Sequence, residues 1–422
     1  MKRRHVLLGL GAFGVAGAIY QRPRDRGAPY NGYFAALNAE LKANGPMRPS
    51  LVIDLDALDH NIDTVVASIA KVPGRHLRVV EKSLPSPKLL AYIAARAKTQ
   101  RLMSFHQPFL NQDAVHFPES DILLGKPLPV RSVEQFYRAH QGPFDPARQL
   151  QWLIDTPLRA AEYLALAQGL GTAINCNIEL DVGLHRGGVT PGAGLAEILS
   201  VIAAHPRHLR FSGFMGYDPF VALVPRVLGS PTELLGKVMA IYQTAIEQLR
   251  REHPTLWREG LTLNTAGSPT YRLHEAETLS NDLAVGTGLL KPSHYDLPTL
   301  ADHRPAAFIA TPVLKATGPV RIPGLGQKSA LFSWWDVNQR ETYFLYGGNW
   351  MADFESPQGL QANTTYGRSS NQEIVNASAG AGLGVGDQVF LRPQQTEGVL
   401  LQFGDLIAVR GGKIVDYWPV FA

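Results

Sequence analysis

Cysteine is almost absent from this chain: Cys176 is the only one in 422 residues. A single thiol excludes an internal disulfide and any cysteine-rich metal site. Charged residues are also few, at 18% against 45% hydrophobic residues, a composition typical of an ordinary globular protein and not of a disordered one. The chain is too long for one small core, and its length suits a large barrel with a second domain.

Excess positive charge is nearly absent outside the N-terminus. The net charge is +4, and Lys2, Arg3 and Arg4 supply three of these charges, which leaves about +1 for the rest of the chain. No basic stripe remains that could bind a phosphate backbone. We therefore expect no nucleic-acid partner.

The N-terminal apolar run from Val6 to Tyr20 is shorter than the ~20 residues that a membrane span needs. It follows Lys2-Arg3-Arg4-His5, and Ala16-Gly17-Ala18 has the small-x-small form of a cleavage site, which favours a signal peptide at residues 1–20. Arg3-Arg4-His5-Val6-Leu7 also resembles a twin-arginine signal, which exports folded proteins. We expect an exported, periplasmic protein; an uncleaved N-terminal membrane anchor is the alternative.

Short apolar runs alternate with helical stretches between residues 49 and 300. After an N-terminal arm at 21–48, which contains a helical stretch from Tyr33 to Ala43, Leu51-Val52-Ile53-Asp54-Leu55 is strand-like and Asp56 can cap the next helix. Eight later runs predict parallel strands that close into a (β/α)8 barrel. These predicted strands are Leu77–Val80, Arg101–Phe105, Asp121–Leu124, Leu150–Ile154, Ala173–Leu180, Leu209–Phe214, Leu261–Leu263 and Leu283–Val285.

After about Ala301 the sequence consists of short strand-like runs separated by glycine-rich turns. Gly411-Gly412 predicts a hairpin turn. Residues 301–422 therefore predict a separate C-terminal antiparallel β domain. Its predicted strands are Phe308–Val313, Ala330–Trp335, Thr342–Tyr346, Asp387–Leu391, Leu406–Val409 and Lys413–Val415.

Lys82 directly follows the strand-like run Leu77–Glu81 and stands at the start of a βα loop. The C-terminal ends of barrel strands are where α/β barrels place their chemistry. A lysine amine can form a Schiff base with an aldehyde cofactor, and burial would lower its pKa toward the useful range. Taken alone, such a lysine is more often a solvated loop residue, so the assignment depends on the other motifs.

The densest polar cluster of the sequence is Glu179–Val189. Strand alternation points Glu179 and Asp181 to the same side, and the three glycines of the stretch allow a tight loop that holds Arg186. An arginine fork is suited to a phenolate or a carboxylate. The alternative interpretation is a salt-bridge network at the rim of the barrel.

Two loops of small residues follow the last two predicted barrel strands: Ala266-Gly267-Ser268 and Gly286-Thr287-Gly288. Backbone amides and hydroxyls in such loops can bind phosphate, and phosphate sites in barrels often form from the loops after strands 7 and 8. Tyr217 follows another strand and could act at the barrel mouth as an acid/base group or hydrogen-bond donor. A packed tyrosine with its hydroxyl at the rim is the alternative.

Together these motifs resemble the fold-type III pyridoxal-phosphate enzymes, which include alanine racemase and, closer to this chain, the D-serine dehydratase and D-threonine aldolase group. Pro49–Leu58 with Asn61-Ile62 resembles the start of that family, although Val80-Glu81-Lys82-Ser83 departs from its usual flanking residues. The resemblance implies that Lys82 binds pyridoxal 5′-phosphate, that Arg186 contacts its ring oxygen and that Tyr217 lines the pocket. The residues implied at the phosphate are Ala266, Gly267, Ser268, Gly286, Thr287 and Gly288, with Tyr295 a further candidate.

The segment Arg392–Asp405 departs from the family pattern. The dehydratase and aldolase members carry a histidine and a nearby cysteine or aspartate that bind a divalent metal, and Gln395 and Glu397 would occupy those two positions here. Glutamine is a poor replacement for imidazole and no thiolate is available, so a divalent metal is doubtful and we assign no metal ligands. Glu397, or Glu373 farther upstream, is instead a candidate for direct acid/base chemistry; polar residues between the domains are the alternative.

The leading hypothesis is a pyridoxal-phosphate-dependent D-amino-acid lyase of the D-serine dehydratase and D-threonine aldolase type, acting on a small amino acid. Lys82 would be one base, and Tyr217, Glu373 or Glu397 the other acid/base group. An amino-acid racemase is the enzymatic alternative because two-base racemisation needs no metal. A non-catalytic relative that binds the cofactor or an amino acid is the third possibility. The resemblance also implies a homodimer.

Overall fold

The computed structural model describes residues 22–277 and 279–421. The described chain forms two compact units. The barrel unit contains residues 54–277, 279–306, 395–406 and 417–421; the sheet unit contains residues 22–53, 307–394 and 407–416. The segment 395–406 thus belongs to the barrel unit although it follows most of the sheet unit in sequence. The signal peptide expected at residues 1–20 lies outside the described residues.

The strands in chain order are β1 (Ser50–Asp54), β2 (His76–Val80), β3 (Arg101–Ser104), β4 (Asp121–Leu124), β5 (Leu150–Ile154), β6 (Ile174–Glu179), β7 (Leu209–Met215), β8 (Thr262–Thr265), β9 (Asp282–Val285), β10 (Ala307–Ala316), β11 (Glu341–Leu345), β12 (Ala352–Ser356), β13 (Gln361–Ala362), β14 (Ile374–Ala377), β15 (Gln388–Pro393), β16 (Leu406–Arg410) and β17 (Lys413–Trp418).

The α-helices are α1 (Gly32–Asn44), α2 (Leu55–Ile69), α3 (Pro87–Ala97), α4 (Gln107–His116), α5 (Val130–Ala139), α6 (Pro146–Gln149), α7 (Pro157–Leu170), α8 (Ala193–Ala204), α9 (Phe220–Leu223), α10 (Pro231–Glu252) and α11 (Ala330–Trp335). Four short 3₁₀ helices carry residues used below: Glu81–Ser83, Tyr271–Ala276, Thr287–Leu289 and Ser293–Tyr295.

Local chemistry explains where several barrel helices begin. The helices α3, α7 and α10 start after Ser86, Thr156 and Ser230, whose hydroxyl oxygens accept backbone N–H groups of the first turn, and each has a proline in that turn. The helix α2 is capped by Asp54, which accepts the amides of Asp56 and Ala57, so the prediction that Asp56 is the cap was wrong. The predicted helix after the first strand is therefore present but starts earlier.

Strands β2 to β9 form a closed parallel barrel, which confirms the predicted (β/α)8 architecture. Each predicted barrel strand coincides with an observed one, and the ends differ by at most two residues. The barrel closes where β2 pairs with β9 in parallel register, from His76 opposite Asp282 to Val79 opposite Val285. Since all strands run in one direction, their C-terminal ends share one rim.

A buried ionic network fills part of the barrel interior. Asp282 accepts hydrogen bonds from Arg78 Nε at 2.8 Å, from Arg101 Nη1 at 2.7 Å and from Asn264 Nδ2 at 2.5 Å. Although burial opposes ionisation, the charges of Arg78 and then Arg101 hold the pKa of Asp282 below its usual range. The network therefore connects β2, β3, β8 and β9 through one ionised carboxylate.

The sheet unit contains a nine-stranded sheet ordered β13-β14-β11-β10-β1-β16-β17, with β15 pairing with both β10 and β12. This antiparallel sheet confirms the predicted C-terminal β architecture. The strand β1 pairs with β10, with Ser50 opposite Ala310. The apolar run that was predicted within the barrel segment 49–300 therefore belongs to the sheet unit instead. A short apolar run indicates a buried strand but not the sheet in which it pairs.

The core of the sheet unit lies between α1 and the sheet. The ring of Phe34 in α1 lies 5.2 Å from that of Phe308 and 4.9 Å from that of Phe390, measured between centroids. Leu37 and Leu41 complete the buried face of α1. These contacts explain why the predicted helical stretch of the N-terminal arm is an ordered helix of this unit.

Two details of the predicted β domain have different outcomes. Gly411 and Gly412 have φ of +54° and +73° and connect the neighbouring strands β16 and β17, as expected of a two-residue hairpin turn. Ala330–Trp335 was predicted as a strand and is the helix α11. Its aromatic content favours a strand only where cross-strand neighbours bury it, whereas Leu331, Phe332 and Trp334 are exposed here. Among the helices of the described chain, none combines the length and apolar character of a membrane crossing.

Replacing Asp282 should destabilise the barrel strongly. In Asp282→Asn the guanidinium groups of Arg78 and Arg101 lose their buried counter-charge, and we expect the free energy of unfolding to fall by about 3–5 kcal/mol. Urea denaturation followed by circular dichroism measures this change. Asp63→Asn, which breaks the exposed pair with Arg96, is the control and should cost less than about 1 kcal/mol. Equal losses in the two variants would contradict the importance of the network.

Candidate active site

A cavity lies at the C-terminal rim of the barrel, between residues that end or follow the strands β2, β3, β4, β6, β7, β8 and β9. Its position is that of small-molecule sites in barrel enzymes. Most of the residues predicted for the site line this cavity. They are Lys82, Arg186, Tyr217, Ala266, Gly267, Ser268, Gly286, Thr287, Tyr295 and Glu397.

Lys82 and Glu397 face each other in the cavity. The 3₁₀ turn Glu81–Ser83 that follows β2 presents Lys82, whose Nζ lies 3.3 Å from Glu397 Oε1 and 4.9 Å from the centre of the Phe105 ring. The same carboxylate oxygen accepts a hydrogen bond from Ser83 Oγ at 2.7 Å and from Thr287 Oγ1 at 3.1 Å. Two hydroxyls thus orient Glu397 toward the lysine amine.

The surroundings of Glu397 keep its carboxylate ionised. Burial alone would raise the pKa, but the charge of Lys82 and the hydrogen bond from Ser83 hold the pKa of Glu397 below its usual range. At neutral pH the group is therefore a proton acceptor. Lys82 itself is partly accessible, with 44% of its side chain exposed, so that a ligand can reach its amine.

The loop after β6 presents Arg186. Asp181 Oδ1 accepts the backbone amides of Gly183 and His185, both at 3.0 Å, and so holds the loop closed. Gly188 has a φ of +91°, and a Cβ there would lie 2.7 Å from the Asp181 amide, so a glycine is required. The guanidinium carbon of Arg186 lies 5.0 Å from the centre of the Tyr217 ring. Asp181 therefore holds the loop, and Arg186 contributes to the cavity.

Glu179 lies beside this loop in a partly buried setting. Burial, followed by the charge of Asp155, raises the pKa of Glu179 to about 7, although the charge of Arg186 opposes the rise. The carboxylate of Glu179, on which the charge of Arg186 acts, is thus only partly ionised near neutral pH. Arg186 consequently keeps attraction for an anionic ligand atom in the cavity.

Tyr217 remains protonated at neutral pH. Burial raises its pKa well above the usual range, and the neighbouring Tyr295 adds to the rise. Gly267 packs directly on the ring: a Cβ on Gly267 would lie 2.6 Å from Tyr217 Cε2. The phenol therefore acts as a hydrogen-bond donor, and the fit of the 266–268 loop against it requires a glycine at position 267.

The two small-residue loops meet at Ser268. Its Oγ accepts the amide of Gly286 at 3.3 Å and that of Gly288 at 2.8 Å. Gly288 thus belongs to the arrangement although it does not line the cavity. A hydroxyl oxygen has two acceptor sites, and in Ser268 both are used by these amides. Within residues 22–277 and 279–421 no acceptor faces the Ser268 hydroxyl proton. Ser268 can donate that proton to a ligand in the cavity.

Glu373 and Gln395 do not join these groups. Glu373 belongs to the sheet unit, where its carboxylate accepts hydrogen bonds from Arg368 and, at 2.7 Å, from the amide of Asn349. The side chain of Gln395 is exposed and does not line the cavity. Across the described ranges no three or more His, Cys, Asp or Glu side chains form a group that could hold a metal ion.

The sequence analysis missed several residues of the site. Ser83 and Thr396 contact the hydroxyl of Thr287, and Phe105 lies under the amine of Lys82. Asn264 lines the cavity and also binds Asp282 of the interior network. A signal existed for both Phe105 and Ser83, since Phe105 ends one predicted barrel strand and Ser83 lies three residues after the end of another. Thr396 lies far from the barrel strands in sequence, and no local pattern indicates its contact.

The carbonyl of Gly288 is held by a buried histidine. His303 Nδ1 lies 3.0 Å from Gly288 O, and its Nε2 lies 2.7 Å from the hydroxyl of Tyr271. Burial lowers the pKa of His303 to about 4, so the ring is neutral at physiological pH. A neutral ring donates to the Gly288 carbonyl from Nδ1 and accepts from Tyr271 at Nε2.

Known proteins share sequence and fold with this chain. The family model "Alanine racemase, N-terminal domain" matches residues 53–293. The 3-hydroxy-D-aspartate aldolase of Paracoccus denitrificans (strain Pd 1222) is 23% identical over 394 residues, which cover 89% of this chain and 91% of the aldolase.

Two solved structures share the fold. D-threonine aldolase from Filomicrobium marinum has a TM-score of 0.69 at 17% identity, covering 88% of this chain and 94% of its own. Alanine racemase from Bacillus anthracis has a TM-score of 0.65 at 15% identity, covering 89% of this chain and 98% of its own. At these identities the likeness concerns the fold alone.

Acid should weaken the fold partly through His303. Its pKa is about 4 in the folded chain against an ordinary value of 6.5, so the neutral ring stabilises the fold above pH 6.5 and this contribution is lost as the pH falls toward 4. The difference in unfolding free energy between the natural chain and His303→Gln should therefore narrow by on the order of 3 kcal/mol between pH 7 and pH 4. Urea denaturation at several pH values measures it; a constant difference would contradict a neutral buried ring.

Proposed function

Because the chain belongs to the alanine racemase N-terminal domain family, we propose that it is a pyridoxal-phosphate enzyme that cleaves a β-hydroxy D-amino acid. Members of the family use pyridoxal phosphate and include both lyases and racemases. The observation that carries the proposal is the ionised Glu397 carboxylate beside Lys82. The names of the aldolases reported above support a D-amino-acid lyase in general terms.

The residues of the cavity fit this cofactor. Lys82 offers an accessible amine for its aldehyde, Arg186 a cation for its ring oxygen, and Ser268 an unused hydroxyl proton for its phosphate. Position 286 requires a glycine, since a Cβ there would lie 2.7 Å from Val80 Cβ. When bound, the cofactor withdraws electrons from the bonds at the α-carbon of an amino acid.

The protonation states of the acid/base residues favour aldol cleavage over dehydration. Cleavage between the α- and β-carbons requires a base that accepts the proton of the β-hydroxyl, and the ionised Glu397 carboxylate is such a base. Loss of the β-hydroxyl as water instead requires a proton donor at that oxygen, which an ionised carboxylate cannot be. We therefore propose that the products are glycine and an aldehyde.

Two further residues complete the proton balance. The proton that the β-hydroxyl gives to Glu397 is matched by one added to the α-carbon, and the Tyr217 hydroxyl, kept protonated by burial, is our candidate donor. Lys82 Nζ is the alternative donor after it has held the cofactor. With both residues in the cavity, a racemase could also operate here, and the product decides between the two reactions.

A divalent metal fits this donor set poorly. Glu397 is the only carboxylate of the described chain that lines the cavity, and its neighbours are three hydroxyls and the amine of Lys82. Divalent metals in proteins are held by several carboxylate, imidazole or thiolate ligands. We therefore propose that Glu397 accepts the proton of the β-hydroxyl without a metal.

Two further proposals come from the sequence alone. We propose that the chain is exported through its twin-arginine-like N-terminus to the periplasm, with membrane anchoring as the alternative, and that it assembles as a homodimer. We also propose that its small-molecule partner is an amino acid, as for related enzymes.

Products formed from D-serine, D-threonine and D-alanine with added pyridoxal phosphate test the proposed reaction. We expect glycine with acetaldehyde from D-threonine, whereas ammonia with a keto acid would indicate a dehydratase and an inverted amino acid a racemase. Glu397→Gln should lower kcat by about 10²–10⁴-fold, because the base is lost, while cofactor attachment is retained.

Two further variants sharpen this test. Glu247→Gln, which changes an exposed glutamate of α10, is the matched control and should leave the products and kcat unchanged. Glu373→Gln separates the two candidate carboxylates of the sequence analysis. An undiminished kcat in Glu397→Gln, together with a large loss in Glu373→Gln, would contradict the role that we assign to Glu397.

A further inference from the structure

A fully buried network joins Tyr217 to the loop that carries Ser268. Asp218, the residue after Tyr217, is completely buried. Its Oδ1 accepts a hydrogen bond from Thr270 Oγ1 at 2.7 Å, and its Oδ2 lies 2.7 Å from His274 Nε2. The carboxylate of Asp218 therefore connects the segment after β7, to which it belongs, with the loop after β8 and the 3₁₀ helix Tyr271–Ala276.

His274 lies between two carboxylates. Its Nδ1 is 3.2 Å from Glu277 Oε1, and Glu277 is itself bound by Arg75 at 2.7 Å. An imidazole can satisfy an acceptor at each nitrogen only by donating from both, which requires the imidazolium form. Burial lowers the pKa of His274, but the hydrogen bond and charge of Asp218, followed by those of Glu277, raise it to about 9.

The charges of this network balance. The cations of His274 and Arg75 oppose the anions of Asp218 and Glu277, and Arg75 Nη1 also donates to the His274 carbonyl at 2.7 Å. The titratable or charged groups around His274 are Asp218, Glu277, Arg75, Tyr242 and the Lys71–Glu275 pair. Tyr242 stays protonated because burial raises its pKa far above the usual range, so His274 is the member that loses a proton first as the pH rises.

The network determines the shape of the 266–270 loop. Thr270 Oγ1, which donates to Asp218, also accepts the amide of Gly267 at 3.1 Å. Ala266 has a φ of +66°, in a region that residues other than glycine rarely adopt, and therefore needs support from its surroundings. Gly267 in turn packs on the Tyr217 ring. The position of Ser268 relative to Tyr217 thus depends on the contacts of Asp218.

We propose that His274 is a positioning residue: as an imidazolium it fixes Asp218 and, through Thr270, holds the 266–268 loop and Tyr217 in the arrangement that receives the phosphate of the cofactor. This inference rests on the proposed function, since it presumes that pyridoxal phosphate is the ligand. His274 itself would not touch the cofactor, because it does not line the cavity. The network is part of neither the cavity lining nor the acid/base set described above.

Alkaline pH should release this support. The pKa of His274 is raised in the folded chain, so the stabilising contribution is complete below pH 6.5 and is lost as the pH rises through about 9. A neutral ring donates one hydrogen bond instead of two, and the Asp218–Thr270–Gly267 connection weakens. Binding of a phosphate-bearing ligand should then weaken more than binding of the same ligand without phosphate.

The test compares pyridoxal phosphate with pyridoxal, which has the same aldehyde and ring but no phosphate. Both are titrated by absorbance into the full chain stripped of cofactor, at constant ionic strength between pH 7 and pH 10. Free pyridoxal is largely a cyclic hemiacetal, but this equilibrium belongs to the ligand and is the same for every chain. The ratio of the two Kd values, compared between the natural chain and a variant at the same pH, therefore reports on the phosphate site. In the natural chain we expect the preference for the phosphate ligand to fall about tenfold as the pH passes 9, the effect of one lost hydrogen bond to a charged group.

His274→Gln should show the reduced preference already at pH 7 and no further change up to pH 10. Tyr163→Phe is the control, because it removes a buried hydrogen bond of 2.9 Å to Leu128 O and does not line the cavity. It should keep both the preference and its pH dependence.

Three results would overturn the inference: a His274→Gln variant with the ratio and pH profile of the natural chain, an equal loss of preference in Tyr163→Phe, or a natural chain whose ratio is flat across pH 9. The pH dependence of the natural chain can be measured without any variant, so this last result tests the inference even if His274→Gln fails to fold. Failure of the proposed function is a different result, in which the natural chain attaches neither ligand.

Discussion

Closure of the barrel between β2 and β9 is the constraint on which the candidate site depends. The pairing brings Arg78 and Asp282 together in the buried interior, where an unpaired charge would be costly. Asp282 also binds groups on β3 and β8. The same strands lead directly into Lys82, Ser268 and Gly286, so the interior network and the cavity rest on one set of backbone positions. A shift of one strand would move the amine relative to the small-residue loops.

In the cavity, the local environment gives Glu397 and Tyr217 opposite protonation states. Glu397 is partly buried but stays ionised because the charge of Lys82 and the hydrogen bond from Ser83 lower its pKa. Tyr217 keeps its proton because burial raises its pKa by more than the charge of Arg186 lowers it. At neutral pH the ionised carboxylate can accept a proton and the protonated phenol can donate one, so the two groups form an acid/base pair in one cavity. This pair supports the proposal that a side chain acts where related lyases use a metal.

Local sequence patterns predicted the barrel well because its strands are short apolar runs at regular spacing, and the rim position of Lys82 follows from that alternation. They were less informative where the outcome depends on distant partners. The run at Leu51–Leu55 is a strand, but only its pairing with β10 shows which sheet it joins. Ala330–Trp335 has the aromatic content of a strand and forms a surface helix because no strand pairs with it.

The same limit applied to the site. Lys82, Arg186 and the two small-residue loops were found because each follows a predicted strand, and Tyr217 for the same reason. Glu397 was identified only by resemblance, and Glu373 was given equal weight because no sequence pattern shows that Arg368 binds it within the sheet unit. No sequence pattern indicated His274, because Asp218 is 56 residues away along the chain and meets it only in the folded barrel. Contacts between loops are therefore the part that required the structure.

The most direct test of the account is the visible absorption spectrum of the purified protein with pyridoxal phosphate, before and after borohydride reduction, with the labelled peptide mapped. The account expects an absorption band that reduction abolishes and a covalent label on Lys82, which is absent in Lys82→Ala. A spectrum without such a band after addition of the cofactor, or a label that persists in Lys82→Ala, would contradict the assignment of this cavity as a pyridoxal-phosphate site.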